Sequence, residues 1–165
     1  MKAVIVVDHG SRRQEANEMM RCVANLIQAM AGPDVLVKYA HMELAEPDVS
    51  DAFKACVEAG AGEIIVFPYM LSPGRHSTSD IPRMVAAVAA NYPQIEYSVT
   101  EAFGVHEKLA EVVLMRAGIA ARAMTGGEAS RCWDPDCSEK LCGDACRAKQ
   151  KPFVAAPLTP AAAVR

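Results

Sequence analysis

Two short runs, Lys2–Val7 (KAVIVV) and Glu63–Phe67 (EIIVF), are apolar at consecutive positions and do not alternate. A strand with one wet face alternates; a strand apolar on both sides is covered on both sides. Between and after these runs, apolar residues recur at helical spacing. Ala16, Met19, Met20, Val23, Ile27 and Met30 form one stripe, ended by Gly32-Pro33. Val49, Ala52, Phe53, Cys56 and Val57 form a second, ended by Gly60 and Gly62. Ile81, Met84, Val85 and Val88 form a third, with Ser79 or Asp80 as the expected N-cap and Pro82 in the first turn. Val35–Met42 and Ile95–Thr100 read as further strands, and His106 to about Ala123 as a fourth helix. The order βαβαβαβα predicts an α/β fold, a four-stranded parallel sheet flanked by helices.

Such a sheet places its chemistry beyond the carboxyl ends of its strands. Here those ends are the loops starting at Asp8, Met42, Pro68 and Glu101. His9, His76 and His106 lie at or next to them, and His41 lies near the end of the second strand. His9 follows the first strand directly, where an imidazole serves as a base or metal ligand near neutral pH, or bonds to the turn backbone. His76 sits in a loop from Pro68 to Ser79, long for a connection that usually takes about 2–6 residues. With the first and third strands as neighbours, His9 and His76 reach adjacent rim positions. Two neutral imidazoles at one point suit Co²⁺, Fe²⁺, Ni²⁺ or Zn²⁺. Glu43 offers a carboxylate on the same rim, for proton transfer or as a solvated loop acid. His106 reads as a helix cap and His41 as a structural histidine.

Charge and composition exclude other classes. The 165 residues carry 17 basic and 20 acidic side chains, a net charge of −3, which disfavours non-specific binding to nucleic acid or an anionic membrane. Aromatic residues make up 5%, too few for a base-stacking platform. The apolar start stops at Asp8, short of a secretory signal, and no run approaches a membrane span. A cytoplasmic location is expected, and there cysteines stay reduced. No G-x-x-x-x-G-K-[ST] string occurs.

After about Met124 the composition changes. Residues 1–123 are expected to form the main domain, 124–150 a Cys-rich extension and 151–165 a disordered Ala/Pro-rich tail. Cys132, Cys137, Cys142 and Cys146 are spaced C-x4-C-x4-C-x3-C. This fits neither common zinc pairs nor plant-type ferredoxin spacing. An iron–sulfur cluster, zinc, and free or redox-active thiols all stay open. Cys56 lies on an apolar stripe and reads as core; Cys22 lies beside one and reads as inert.

Several strings together carry a family resemblance. His9-Gly10-Ser11-Arg12 with Ala16-Asn17 resembles the opening of the short-form type II chelatases acting on sirohydrochlorin, the CbiX/SirB family. Met42-Glu43-Leu44 with Pro47 is similar to its second signature. Pro68-x-x-Leu71-x-x-Gly74-x-His76 followed by Asp80-Ile81-Pro82 is similar to its metal-site loop, and Phe103-Gly104-x-His106 with Leu109 and Arg116 to its last element. Tyr69-Met70 and Pro73 depart from the usual pattern.

The resemblance implies an ATP-independent enzyme inserting a divalent metal into a tetrapyrrole. His9 and His76 would bind the incoming metal, with His9 and Glu43 as the catalytic, proton-accepting groups. Ser11, Arg12, Arg75 and Ser77 would bind substrate. The macrocycle carries eight carboxylates, so Arg12, Arg13 and Arg75 either attract it or are solvated loop charges. Cobalt is favoured, in cobalamin biosynthesis; iron (for sirohaem) and nickel are the alternatives. Long relatives have two lobes, so this length implies a homodimer. A histidine phosphatase, to whose Arg-His-Gly start Asp8-His9-Gly10 is superficially similar, is disfavoured because Asp8 would repel phosphate. A metallochaperone using the cysteines is a further alternative.

Overall fold

A computed structural model of the chain describes residues 1–124. The expected Cys-rich extension, with Cys132, Cys137, Cys142 and Cys146, and the expected tail over 151–165 lie outside the described residues.

The strands are β1 (Lys2–Asp8), β2 (Val35–His41), β3 (Glu63–Pro68) and β4 (Glu96–Val99), and the helices α1 (Gln14–Ala31), α2 (Val49–Glu58), α3 (Ile81–Ala89) and α4 (Glu107–Arg116). They form the expected four-stranded parallel sheet, in the order β2-β1-β3-β4. The chain leaves β1 toward β2 and later returns to β1's other side with β3. The strand order therefore reverses between β1 and β3, where loops diverge and leave a crevice.

Both faces of β1 are buried, as KAVIVV requires. Ala3, Ile5 and Val7 pack with Ile64 and Val66 of β3 against Phe53 and Cys56 of α2 and Ile81 and Val85 of α3. Removing side chains such as Ile5, Phe53, Ile64 and Ile81 from water stabilises the fold by about 1.5–3 kcal/mol each. Val6 faces the other way, with Met20 and Ala24 of α1. The buried line of α1 is thus Met20 and Ala24 with Ile27 behind; Met19 and Met30, read as part of the stripe, are exposed. Helix α2 starts in a reciprocal cap: Asp48 accepts from the Asp51 N–H at 2.8 Å, and Asp51 from the Asp48 N–H at 3.3 Å.

One expected boundary and one expected cap are corrected. Helix α4 ends at Arg116, well before Ala123. Gly118 takes φ +71°, its N–H bonds the Met115 carbonyl, and the Ile119 N–H bonds that of Leu114. This left-handed cap closes the last turn. Asp80 does stand at the N-cap position of α3, but its backbone is helical and its side chain makes no capping bond, because the chain is already wound. His76–Asp80 forms a π-helical turn in which the Ile81 N–H bonds the His76 carbonyl five residues back. Pro82 supplies the reason: its ring has no N–H to donate and collides with a carbonyl four residues behind it in an ordinary helix. The wider turn leaves room for the ring.

Candidate metal centre

The first half of the site is built on the end of β1. Gly10 adopts φ +81°, a left-handed turn that glycine adopts without penalty. It is also pressed close to β2: a Cβ here would lie 3.1 Å from the His41 Cβ. Asp8 Oδ1 accepts from the Gly10 N–H at 3.0 Å and lies 2.5 Å from His41 Nδ1. Downstream, the Asn17 side chain bonds both the N–H and the carbonyl of Ser11, at 2.9 and 2.8 Å. The turn carrying His9 is thereby held at both ends. The Glu43 N–H bonds the His9 carbonyl at 3.2 Å, which brings the Glu43 carboxylate to 3.8 Å from His9 Nε2.

The second half comes from β3 by way of the π turn. Gly74 and Ser77 close a knuckle: the Gly74 N–H donates to Ser77 Oγ at 3.0 Å, and Thr78 Oγ1 donates to the Gly74 carbonyl at 2.9 Å. His76 projects from this knuckle. Its ring stands edge to face with that of His9, centroids 5.2 Å apart. With metal–nitrogen bonds of about 2.0–2.1 Å, two imidazoles sharing one ion have centroids roughly this far apart. His76 Nδ1 lies 3.0 Å from Asp80 Oδ2, and Arg83 donates to Asp80 Oδ1 at 2.6 Å. Burial alone would raise the Asp80 pKa. The hydrogen bonds from Arg83 and His76, with the charges of Arg75 and Arg83, outweigh it and hold the carboxyl below its ordinary value. Beside His76 an open depression of about 480 Å³ is lined in part by Met42, Glu43, Arg75, Arg83 and Met84.

The structure thus brings His9, His76 and Glu43 together. Other expected residues are placed differently. Ser77 is buried, with its hydroxyl shared between the Gly74 N–H and carbonyl, so it shapes the loop. The Ser11 hydroxyl accepts from the Arg13 N–H at 3.1 Å. Arg12 is exposed on the rim, and Arg75 leans toward Asp80, with its Nε 3.6 Å from Oδ2. His106 caps α4, accepting from the Lys108 N–H at 3.1 Å. His41 is fully buried and cannot reach an ion on the rim. Sequence reasoning missed Asp80 and Arg83 as partners of His76. The signal present was the His76-x-x-x-Asp80 spacing, which puts two side chains on one face of a helical turn. The oxygens of Glu46, Asp48 and Asp51 also approach one another within 4.8 Å, but this exposed trio includes the two cap residues of α2.

The CbiX family model matches residues 3–120. The chain belongs to the CbiX family. Over 110 residues this CbiX chain is 44% identical to the chloroplastic sirohydrochlorin ferrochelatase of Arabidopsis thaliana, covering 67% of the chain and 48% of that relative. It is 29% identical to the sirohydrochlorin cobaltochelatase of Sulfurisphaera tokodaii, covering 76% of the chain and 98% of that relative. Among solved structures it is similar to the sirohydrochlorin chelatase SirB from Bacillus subtilis subspecies spizizenii in complex with cobalt. The TM-score is 0.66 at 32% identity, over 71% of this chain and 50% of SirB. This CbiX chain therefore spans about half the length of the Arabidopsis relative and of SirB. No helix among the described residues is long and apolar enough to cross a membrane.

Proposed function

We propose that this CbiX chain inserts a divalent metal, cobalt in the first place, into sirohydrochlorin without ATP. The observation that carries the reading is the His9–His76 pair, rings 5.2 Å apart, with the Glu43 carboxylate 3.8 Å from His9. Imidazoles bind Co²⁺ firmly enough to displace water, yet release it to four ring nitrogens. As the ion enters, two N–H protons leave the macrocycle. His9 and Glu43 are the groups within reach to accept them. The net reaction is exchange of two protons for one divalent ion. Rim arginines Arg12, Arg75 and Arg83 favour approach of a polycarboxylate.

Cobalt is supported by size: the S. tokodaii relative, covered over 98% of its length, is named a cobaltochelatase. Iron is the second reading, supported by 44% identity to a relative named a ferrochelatase. A homodimer is part of the proposal. Helix α4 has no buried residue, and Val112, Val113 and Met115 on it are exposed. A second copy would cover them and supply the other lobe. For Cys132, Cys137, Cys142 and Cys146 the reading is an iron–sulfur or zinc site outside the chelation chemistry, checked by metal analysis of the full chain beside its four Cys→Ser variants.

Anaerobic incubation with sirohydrochlorin and equal Co²⁺, Fe²⁺ or Ni²⁺, followed by absorbance, tests the function. Wild type is expected to exceed spontaneous insertion, fastest with Co²⁺, and His9→Ala and His76→Ala to fall back to it. Wild-type rates in both variants would overturn the reading.

A further inference from the structure

We propose that Asp80, itself anchored by Arg83, is a positioning residue that fixes the tautomer and direction of the His76 ring so that Nε2 is the metal-binding nitrogen. This rests on the reading of His76 as a metal ligand. An imidazole that binds a cation uses a nitrogen lone pair, and its other nitrogen then carries the proton. A carboxylate accepting that proton selects the tautomer, orients the ring and increases its basicity.

The geometry has these parts in series. The two oxygens of Asp80 are divided: Oδ1 accepts from Arg83 at 2.6 Å, and Oδ2 lies 3.0 Å from His76 Nδ1. A carboxylate gripped by a guanidinium accepts at both oxygens: Arg83 donates to Oδ1, Arg75 Nε leans on Oδ2, and the remaining neighbour of Oδ2, His76 Nδ1, is then the donor. That leaves the lone pair on Nε2. The carboxylate is itself restrained, with 15% of its side chain exposed, and cannot turn without breaking the Arg83 bond.

Chain winding explains how five residues achieve this. The π turn that accommodates Pro82 spans His76–Asp80, so the imidazole and its carboxylate occupy its two ends. Single π turns inside helices recur at functional sites for the same reason: they re-aim a side chain. His9 offers a contrast. Its ring has only the distant Glu43 carboxylate as an ionic partner among the described residues. One ligand is therefore fixed and the other free to follow an ion as it leaves for the macrocycle.

The test uses the full chain labelled with ¹⁵N, with long-range ¹H–¹⁵N correlation of the imidazoles before and during Co²⁺ titration. Wild-type His76 is expected as the Nδ1–H tautomer. Asp80→Ala is expected to shift it toward the Nε2–H form common in free imidazoles, with His9 unchanged. Co²⁺ affinity, read from paramagnetic effects on His9 and His76, is expected to weaken about 10–100-fold in Asp80→Ala. Asp80→Asn, which keeps an acceptor oxygen and much of the shape, is expected to retain the tautomer with intermediate affinity, and stands in should the alanine variant not fold. An Nε2–H tautomer in wild type, or unchanged tautomer and affinity in the folded variant, would overturn the assignment. Unchanged Co²⁺ effects in His76→Ala would instead overturn the ligand reading, and the assignment with it.

Discussion

Two histidine–carboxylate pairs sit about one strand apart in opposite surroundings, one sealed and one open. In Asp8–His41 the oxygen lies 2.5 Å from Nδ1, and in Asp80–His76 it lies 3.0 Å away. Chemically the pairs are the same. They differ in what lies beyond the other ring nitrogen. His41 is 0% exposed and its Nε2 meets no partner among the described residues. His76 is half-exposed, and its ring meets that of His9. The far nitrogen is sealed in the first pair and faces the rim in the second, where the proposed function would use it. The sealed pair also supports the neighbour of the open one, because Asp8 holds Gly10 and so the turn that carries His9, whose ring faces His76.

This contrast is breakable by substitution. The largest effect is expected from His9→Ala: metal insertion falls at least about a hundredfold, the lower end of what a proton-transferring group supplies, while urea unfolding stays within about 0.5 kcal/mol of wild type, as for a half-exposed side chain outside the core. His41→Ala should do the reverse in kind. It opens a cavity and strips Asp8 of its partner, so a stability loss of about 2–4 kcal/mol is expected in the same urea assay. A variant of His41 as stable as wild type would break the comparison. Gly10→Ala lies between the two. Its left-handed backbone costs a non-glycine residue about 1–2 kcal/mol, and the new methyl meets His41 at 3.1 Å. Stability and insertion rate should fall together.

The smallest effect concerns the cysteines and sharpens the same rule of exposure. Burial pushes the Cys56 thiol up to about 11, with the Lys38 charge offsetting it only in part, whereas Cys22 is exposed. Site-resolved mass spectrometry should find Cys22 alkylated in the native chain and Cys56 only after unfolding. Because the native thiol holds its proton more tightly than the unfolded one, its contribution is full below pH 9.0. It is lost as pH rises through about 11. Thermal unfolding across that alkaline range checks the sign.

The reach of sequence reasoning follows the range of the forces involved. KAVIVV and EIIVF specified buried parallel strands because double-sided burial leaves its mark on every residue. The rim position of His9 and His76 followed from strand order alone. Asp8 with His41 was illegible, since it depends on register: these two residues face each other across β1 and β2. Asp80 was read as a cap because periodicity reports a helix start and not the widened turn that Pro82 imposes ahead of it. On α1, Met19 and Met20 are neighbours, and only packing decides that Met20 goes inside. The end of α4 was marked by Gly118, whose left-handed turn outweighed the apolar residues beyond it.

His9 is rooted in a strand, whereas His76 is carried on the lead-in to α3, whose Ile81 and Val85 are seated on the sheet. The span between the two rings is therefore set by how deeply one helix beds down. With the two rings read as ligands, as proposed, trimming or enlarging those two aliphatic anchors would widen or narrow the gap for ions of different radius, with neither histidine replaced.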